Sequence, residues 1–205
     1  MRRSSIKRKV ELKMKAFSRE KKIIQALVLI GILLLSVTFT NQYIQATTFS
    51  WKWPSTNQNI LIKNVTGESV WNSVISASAS KWTNISGSGI KVYYTSTSTN
   101  PDTYLSYQGQ YHASLYASIY VYDKNGNFIS DTSTAVPVET KIRMYSDKVR
   151  PLDNTGKTQM MTHEIGHILG LAHPASATKS VMVPSKAFNY SGPQPYDQSE
   201  LANRY

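Results

Sequence analysis

The sequence contains no cysteine, so no disulfide stabilises this protein. It is also poor in acidic residues, with 12 Asp and Glu against 23 Lys and Arg, which gives a formal net charge of +11. The excess is concentrated at one end. Residues 1–46 contain ten basic and two acidic residues, whereas residues 47–205 contain thirteen and ten. Because most of the positive charge belongs to the N-terminal stretch, the overall basicity does not indicate a nucleic-acid-binding protein.

Long apolar runs are rare as well, and the clearest one lies near the N-terminus. A basic segment ending at Lys22 precedes residues 23–39, an apolar run of 17 residues with four small or polar interruptions, and a polar stretch then leads to Ala46. This order is typical of a secretory signal peptide cleaved after Ala46. An uncleaved N-terminal membrane anchor is the alternative, since 17 residues is at the short end of the range for a membrane span. In both cases residues 47–205 are expected outside the cytoplasm, with membrane contact only through an uncleaved leader.

Residues 47–205 are enough for one domain and too few for two. Their apolar spacing predicts helices wherever it recurs every three or four residues and strands wherever it alternates. Trp71 and Trp82 share the apolar face of the first helix, which favours packing in the core over a role as a ligand platform. Residues 48–53 are predicted to be extended, and the predicted strands cover 59–63, 90–95, 111–122 and 138–144. The predicted helices cover 69–83, 158–169 and a short segment that Asp197 caps.

Residues 163–173 read HEIGHILGLAH, and this spacing predicts a metal site. His163 and His167 stand four residues apart on one face of a helix, so their imidazoles can converge on one ion. Gly170 can adopt a positive φ and end the helix, which lets His173 turn back as a third ligand. Three neutral imidazoles suit zinc and leave a fourth position for water, and Glu164 is placed to take a proton from that water.

This stretch resembles the metzincin zinc-protease signature H-E-x-x-H-x-x-G-x-x-H, and Leu169, Gly170 and Leu171 look most like the matrixin branch in a secreted bacterial form. Ser180-Val181-Met182 is similar to the metzincin Met-turn, in which a methionine lies beneath the metal. The resemblance implies an α+β fold with a mixed twisted β-sheet, a backing helix, an active-site helix and a small C-terminal subdomain. It also implies an antiparallel edge strand to which a peptide substrate adds as a further strand.

The resemblance implies further features that this sequence meets only in part. Relatives shape a specificity pocket after the Met-turn, where Val183, Pro184, Phe188 or Tyr190 stand here. Many relatives also bind a structural zinc through several histidines, but His112 is the only histidine outside the motif, and a surface or hydrogen-bonded strand position is favoured for it. A cysteine-based inhibitory segment is impossible without cysteine.

Two local features have alternative interpretations. Residues 123–127, DKNGN, could form a calcium loop, but Asn-Gly between two predicted strands favours a hairpin turn. Residues 155–156 suggest a turn before the predicted active-site helix. Either Asp153 or Thr155 is expected to cap that helix.

The sequence therefore predicts a monomeric, secreted zinc endopeptidase that acts on peptides or proteins. One zinc ion bound by His163, His167 and His173 would polarise the scissile carbonyl, and Glu164 would act as general base. Bound calcium is possible but not evident, and no nucleic-acid partner is expected. Two alternatives stay open: a non-catalytic peptide-binding or adhesion module that contains zinc, and a processing peptidase with a single substrate.

Overall fold

A mixed five-stranded sheet runs through the computed structural model, which describes residues 48–54, 59–109 and 111–205. The strands lie in the order β2-β1-β3-β5-β4. The first four of these pair in parallel, and β4 pairs with β5 in the antiparallel direction and forms one edge. The strands are β1 (Asn59–Asn64), β2 (Lys91–Thr95), β3 (Thr103–Gln108), β4 (Ala117–Tyr122) and β5 (Glu139–Tyr145).

Two long helices pack against each other and bury the core with the sheet. The two long helices are α1 (Val70–Trp82) and α3 (Asn154–Ile168). The shorter ones are α2 (Ser146–Val149), a 3-10 helix (Pro184–Asn189) and α4 (Pro195–Arg204). Trp71 and Trp82 on α1 are fully buried, so the prediction of core packing is confirmed. The α+β architecture, with a backing helix α1 and the motif on α3, is confirmed too.

Two tryptophans also bond directly to the helix that carries the motif. The indole N–H of Trp82 donates to the carbonyl of Thr162 at 2.9 Å, and that of Trp53 donates to the carbonyl of Ile168 at 2.7 Å. Both indoles are completely buried. The part of α3 that carries the motif is therefore hydrogen-bonded to α1 at one end and to the segment before β1 at the other.

The predicted element boundaries need several corrections. Strand β3 was not predicted, and β4 begins at Ala117, six residues later than the alternation suggested. Helix α3 begins at Asn154, so residues 155–156 lie in its first turn and do not form a turn before it. The cap prediction holds for Asp153, whose side chain accepts a hydrogen bond of 2.7 Å from the backbone N–H of Gly156.

All described residues belong to one unit of the chain, Gln45–Tyr205. The predicted leader, residues 1–46, lies outside the described residues, so its assignment as a signal peptide or anchor stays a prediction. Among the described residues, no helix is both long enough and apolar enough to cross a membrane.

Candidate metal centre

Three histidines of the motif meet at one point, as the spacing predicted. The Nε2 atoms of His163 and His167 are 3.1 Å apart, those of His167 and His173 are 3.0 Å apart, and those of His163 and His173 are 3.2 Å apart. One ion at the usual Zn–N distance of about 2.0–2.1 Å can touch all three corners of such a triangle. The arrangement fits a single metal ion.

The hydrogen bonds of the imidazoles fix which ring nitrogens are free. Nδ1 of His163 lies 2.7 Å from the carbonyl oxygen of Val181, and Nδ1 of His167 lies 2.8 Å from that of Leu171. A carbonyl can only accept, so both Nδ1 atoms donate and both Nε2 atoms keep a lone pair. Lone pairs that converge in this way repel one another unless a cation lies between them, which is the chemistry of a ligand set.

Burial keeps the histidines neutral. It lowers the pKa of His163 to about 4, lowers that of His167 well below its ordinary value, and lowers that of His173 as well. Because metal ions bind the neutral imidazole, protons compete weakly for these nitrogens at neutral pH.

The turn between the second and third histidines depends on Gly170. Its φ is +85°, and its N–H donates to the carbonyl of His167 at 2.8 Å while the N–H of Leu171 donates to that of Gly166 at 3.0 Å. These two bonds form a Schellman motif that ends α3. A Cβ at Gly170 would lie 2.4–2.6 Å from the guanidinium of Arg204. The backbone angle therefore favours glycine, as predicted, and a larger residue would also have to displace the Arg204 side chain.

Glu164 lies beside the three histidines and is 6% exposed. Together with them it lines a cavity. Burial raises the pKa of its carboxyl to about 8. A nearby positive charge would favour the ionised form, which is the form that accepts a proton.

The Met-turn packs directly under α3. A Cβ added to Gly166 would lie 2.2 Å from Sδ of Met182, so only glycine lets the methionine approach the helix this closely. The turn is held by Asp197 of α4: its carboxylate accepts hydrogen bonds from the Ser180 hydroxyl and, at 3.0 Å, from the N–H of Val181.

Asp197 has a wider role than the predicted cap. The residue before α4 is Gln194, and Asp197 occupies the third helical position, where its carboxylate accepts from the Gln194 N–H at 2.8 Å to complete a capping box. It is 1% exposed. The same side chain thus starts α4 and fixes the Met-turn.

A cavity of about 460 Å³ opens at the triad. Pro184 and Phe188 line it, as the resemblance implied, but Val183 and Tyr190 are not among its lining residues. Strand β4 borders it through Ala117, Ser118, Ile119 and Val121. The remaining lining includes Phe49, Trp51, Ser114, Leu115, Tyr116, Phe128, Ile129, Asp131, Met160 and Ala187.

The other candidate sites do not join this centre. Residues 123–127 form a turn in which the carboxylate of Asp123 accepts from the N–H groups of Asn125 and Asn127 at 2.8 and 2.9 Å, so the turn interpretation is confirmed. Nδ1 of His112 accepts from the N–H groups of Ser114 and Leu115. His112 is hydrogen-bonded, as predicted, but lies in the loop before β4 and not on a strand.

Comparison with known proteins decides the family. The sequence profile described as "Metallo-peptidase family M12" (Reprolysin_5) matches residues 15–198. The chain belongs to the M12 metallopeptidase family. This membership confirms the predicted metzincin-like metallopeptidase and its α+β fold. The matrixin branch stays a prediction.

The M12 metallopeptidase also has a distant likeness among solved structures. It resembles a solved structure titled "Structure of myroilysin", with 20% sequence identity, a TM-score of 0.39, and coverage of 63% of this chain and 53% of that one. It therefore spans about half the length of the myroilysin chain. The comparison with curated protein sequences gives no match.

The roles of two residues far from the motif in the sequence were not predicted: Phe49 contacts a motif histidine directly, and Asp197 holds the Met-turn. Asp197 was recognised only as a helix start, and Phe49 only as part of an extended segment. The ring of Phe49 lies 5.8 Å from the imidazole of His167, 118 positions later. No local pattern in the sequence indicates either contact.

Proposed function

We propose that this chain is a secreted zinc endopeptidase in which His163, His167 and His173 bind the metal and Glu164 is the general base. The observation that carries the proposal is the meeting of three Nε2 atoms, all within 3.2 Å of one another, beside a buried carboxyl on the wall of a cavity. A closed structural site would have four protein ligands, whereas three leave one position for catalysis.

Zinc bound there would polarise the scissile carbonyl and lower the pKa of a coordinated water. Glu164 accepts the proton of the attacking water at its carboxylate and returns it to the nitrogen of the leaving amine. The carbonyls of Val181 and Leu171 hold the rings of His163 and His167 in the orientation that directs Nε2 to the metal.

The peptide lies along β4 as an additional strand. β4 is the antiparallel edge of the sheet, and its residues Ala117, Ser118 and Ile119 line the cavity next to the triad. An exposed sheet edge offers backbone N–H and C=O groups to an extended chain, which gives affinity without requiring a particular sequence. This geometry suits an endopeptidase.

The sequence supports the location and the branch that we propose. The basic and apolar segments before Ala46 support export, with cleavage after Ala46 and the catalytic domain in residues 47–205 outside the cytoplasm. We take this domain to act as a monomer. The spacing after His167 and the Ser180-Val181-Met182 turn support a matrixin-like member of the metzincins.

The proposal is tested with the full chain. Zinc content is measured together with hydrolysis of a mixed peptide library, with and without phenanthroline, and N-terminal sequencing of the exported product locates the cleavage site. One equivalent of zinc and cleavage that the chelator abolishes are expected. Zinc without cleavage of any peptide would contradict the endopeptidase, and absence of zinc would contradict the ligand assignment.

A further inference from the structure

Residues 48–51 form part of the cavity wall. Phe49 and Trp51 line the cavity, their rings stack with centroids 5.5 Å apart, and the ring of Phe49 is 5.8 Å from that of His167. Phe49 is half-buried and packs on the core. Part of its ring therefore stays available to whatever occupies the cavity.

The backbone of this segment is fixed from three directions. The N–H of Phe49 donates to the carbonyl of Gly170 at 2.9 Å, and its carbonyl accepts from Nη1 of Arg204 at 2.9 Å. The N–H of Ser50 donates to the carbonyl of Asp131 at 2.8 Å. The segment thus joins the turn between the second and third histidines, helix α4 and the loop after β4. Its side chains consequently have defined positions.

The cavity has two apolar ends, one at each end of β4. Near the start of the strand, Tyr116 packs on Phe188 with ring centroids 5.1 Å apart. Near its end, the N–H of Ile129 donates to the carbonyl of Val121 at 2.8 Å, and Asp131, two residues on, bonds to the segment that carries Phe49. Phe49 therefore belongs to the end of the cavity beyond Val121.

The direction of β4 decides which part of a peptide each end receives. Because Ile129 and Phe128 already pair with the end of β4, a peptide can add only to the part of the strand before Val121; added antiparallel, it has its N-terminal part toward Val121 and its C-terminal part near Ala117. The Phe49 end then receives side chains that precede the scissile bond, and the Phe188 end receives those that follow it. Because Phe49, Trp51 and Ile129 are apolar, an apolar side chain gains most by burial there.

We propose that Phe49 shapes a subsite for a bulky apolar side chain on the N-terminal side of the scissile bond and so contributes to the cleavage preference. The inference rests on the proposed function, because it uses the same metal centre and the same edge strand. It goes further by assigning a selective role to residues 48–51.

The test compares Phe49→Ala with Phe188→Ala, a matched change at the other end of the cavity. The zinc-loaded full chain and both variants are given a peptide library randomised on both sides of the cleaved bond. Phe49→Ala should lower kcat/KM for peptides with a bulky apolar residue before the bond by about tenfold relative to those with alanine there. Phe188→Ala should leave that ratio unchanged and alter the preference after the bond. An unchanged ratio in Phe49→Ala, with zinc retained, would overturn the inference.

A binding measurement separates this inference from the proposed function. Glu164→Gln is titrated with two labelled peptides that carry Phe or Ala before the cleaved bond, and the Phe peptide should bind about tenfold more tightly. Adding Phe49→Leu, a milder change in case Phe49→Ala does not fold, should reduce that difference. Equal binding of the two peptides contradicts the subsite even if the wild-type chain cleaves. Selective binding by a wild-type chain that cleaves nothing supports the subsite and contradicts the endopeptidase.

Discussion

Nδ1 of His163 donates to the carbonyl oxygen of Val181 over 2.7 Å, while the N–H of Val181 donates to Asp197 over 3.0 Å. One peptide segment of the Met-turn therefore orients a metal ligand on one side and is itself held by α4 on the other. Asp197 acts on His163 through Val181 without touching the metal site.

Asp197→Ala should weaken both the fold and the metal site. It leaves the Ser180 hydroxyl and the Val181 and Gln194 N–H groups without their acceptor in a buried place, which costs about 3 kcal/mol or more in the free energy of unfolding. Zinc affinity should fall about tenfold or more because the orientation of His163 is loosened. Urea unfolding and competition with a chromogenic chelator measure the two effects.

The matched control is Asp147→Ala. Asp147 forms a partly exposed ion pair with Lys148 at 3.6 Å, and such pairs contribute about 1 kcal/mol or less. Equal effects of the two substitutions on zinc affinity would contradict the role given to Asp197.

Glu164→Gln should abolish catalysis and leave the metal in place. Glutamine has nearly the same shape but cannot accept a proton from water, so the hydrolysis rate should fall about a thousandfold. Zinc content and thermal unfolding of the zinc-loaded chain are measured beside activity. Glu139→Gln, which removes a carboxylate paired with Lys141 at 3.0 Å, should cleave as the wild type does. A wild-type rate for Glu164→Gln would show that another group takes the proton.

Gly170→Ala should destabilise the chain and reduce zinc affinity together. An alanine at φ of +85° costs about 1–2 kcal/mol, and its Cβ would also displace the guanidinium of Arg204. Gly67→Ala separates the two causes, because Gly67 has φ of +81° with no atom within 4 Å of an added Cβ. Gly67→Ala should show the backbone cost alone and bind zinc normally. Chemical unfolding and zinc titration of both variants give the comparison, and normal zinc binding by Gly170→Ala would contradict the prediction.

The zinc-free chain should be most stable near pH 6.5. Burial lowers the pKa of His163 to about 4 from 6.5, so between these values only the unfolded chain binds the proton, and stability falls as the pH drops. His167 shifts in the same direction. Burial raises the pKa of Glu164 to about 8 from 4.5, so the folded chain keeps a proton that the unfolded chain has lost, and stability falls as the pH rises from 6.5 to 8.

Urea unfolding in the presence of a chelator across pH 5–9 measures this profile. The free energy of unfolding should fall by about 2 kcal/mol between pH 6.5 and 8, because each pH unit in this range changes it by about 1.4 kcal/mol. Glu164→Gln should remove the loss of stability above pH 6.5 and keep the loss of stability below pH 6.5. His163→Gln should reduce the loss below pH 6.5. An identical loss above pH 6.5 in Glu164→Gln would show that a different group causes it.

The metal ligands were predictable because their geometry is local. The spacing of His163 and His167 follows from one helical turn, and Gly170 marks the place where the chain must reverse. Helix α1 was predictable for the same reason, since its apolar face repeats within 13 residues.

Strand β3 was not predictable, because its stability comes from its neighbours. Its sequence, TYLSYQ, buries Leu105 and Thr103 completely, and the Thr103 hydroxyl bonds to that of Thr140 on β5 at 2.6 Å. Pairing with β1 and β5 on both sides satisfies the backbone of a segment with little apolar pattern of its own. Asp197 and Phe49 were missed for a related reason: each acts through contacts with residues distant in the sequence.

The indole contacts of α3 place two tryptophans where their fluorescence can report on this helix. Trp53 and Trp82 bond to carbonyls at Ile168 and Thr162, and Thr162 immediately precedes the first metal ligand. Any displacement of this helix when zinc or a peptide enters changes the surroundings of both indoles, and tryptophan emission responds to such changes. A change of intrinsic fluorescence on adding zinc or a peptide would therefore report a displacement of α3, without attaching a dye that would disturb the cavity.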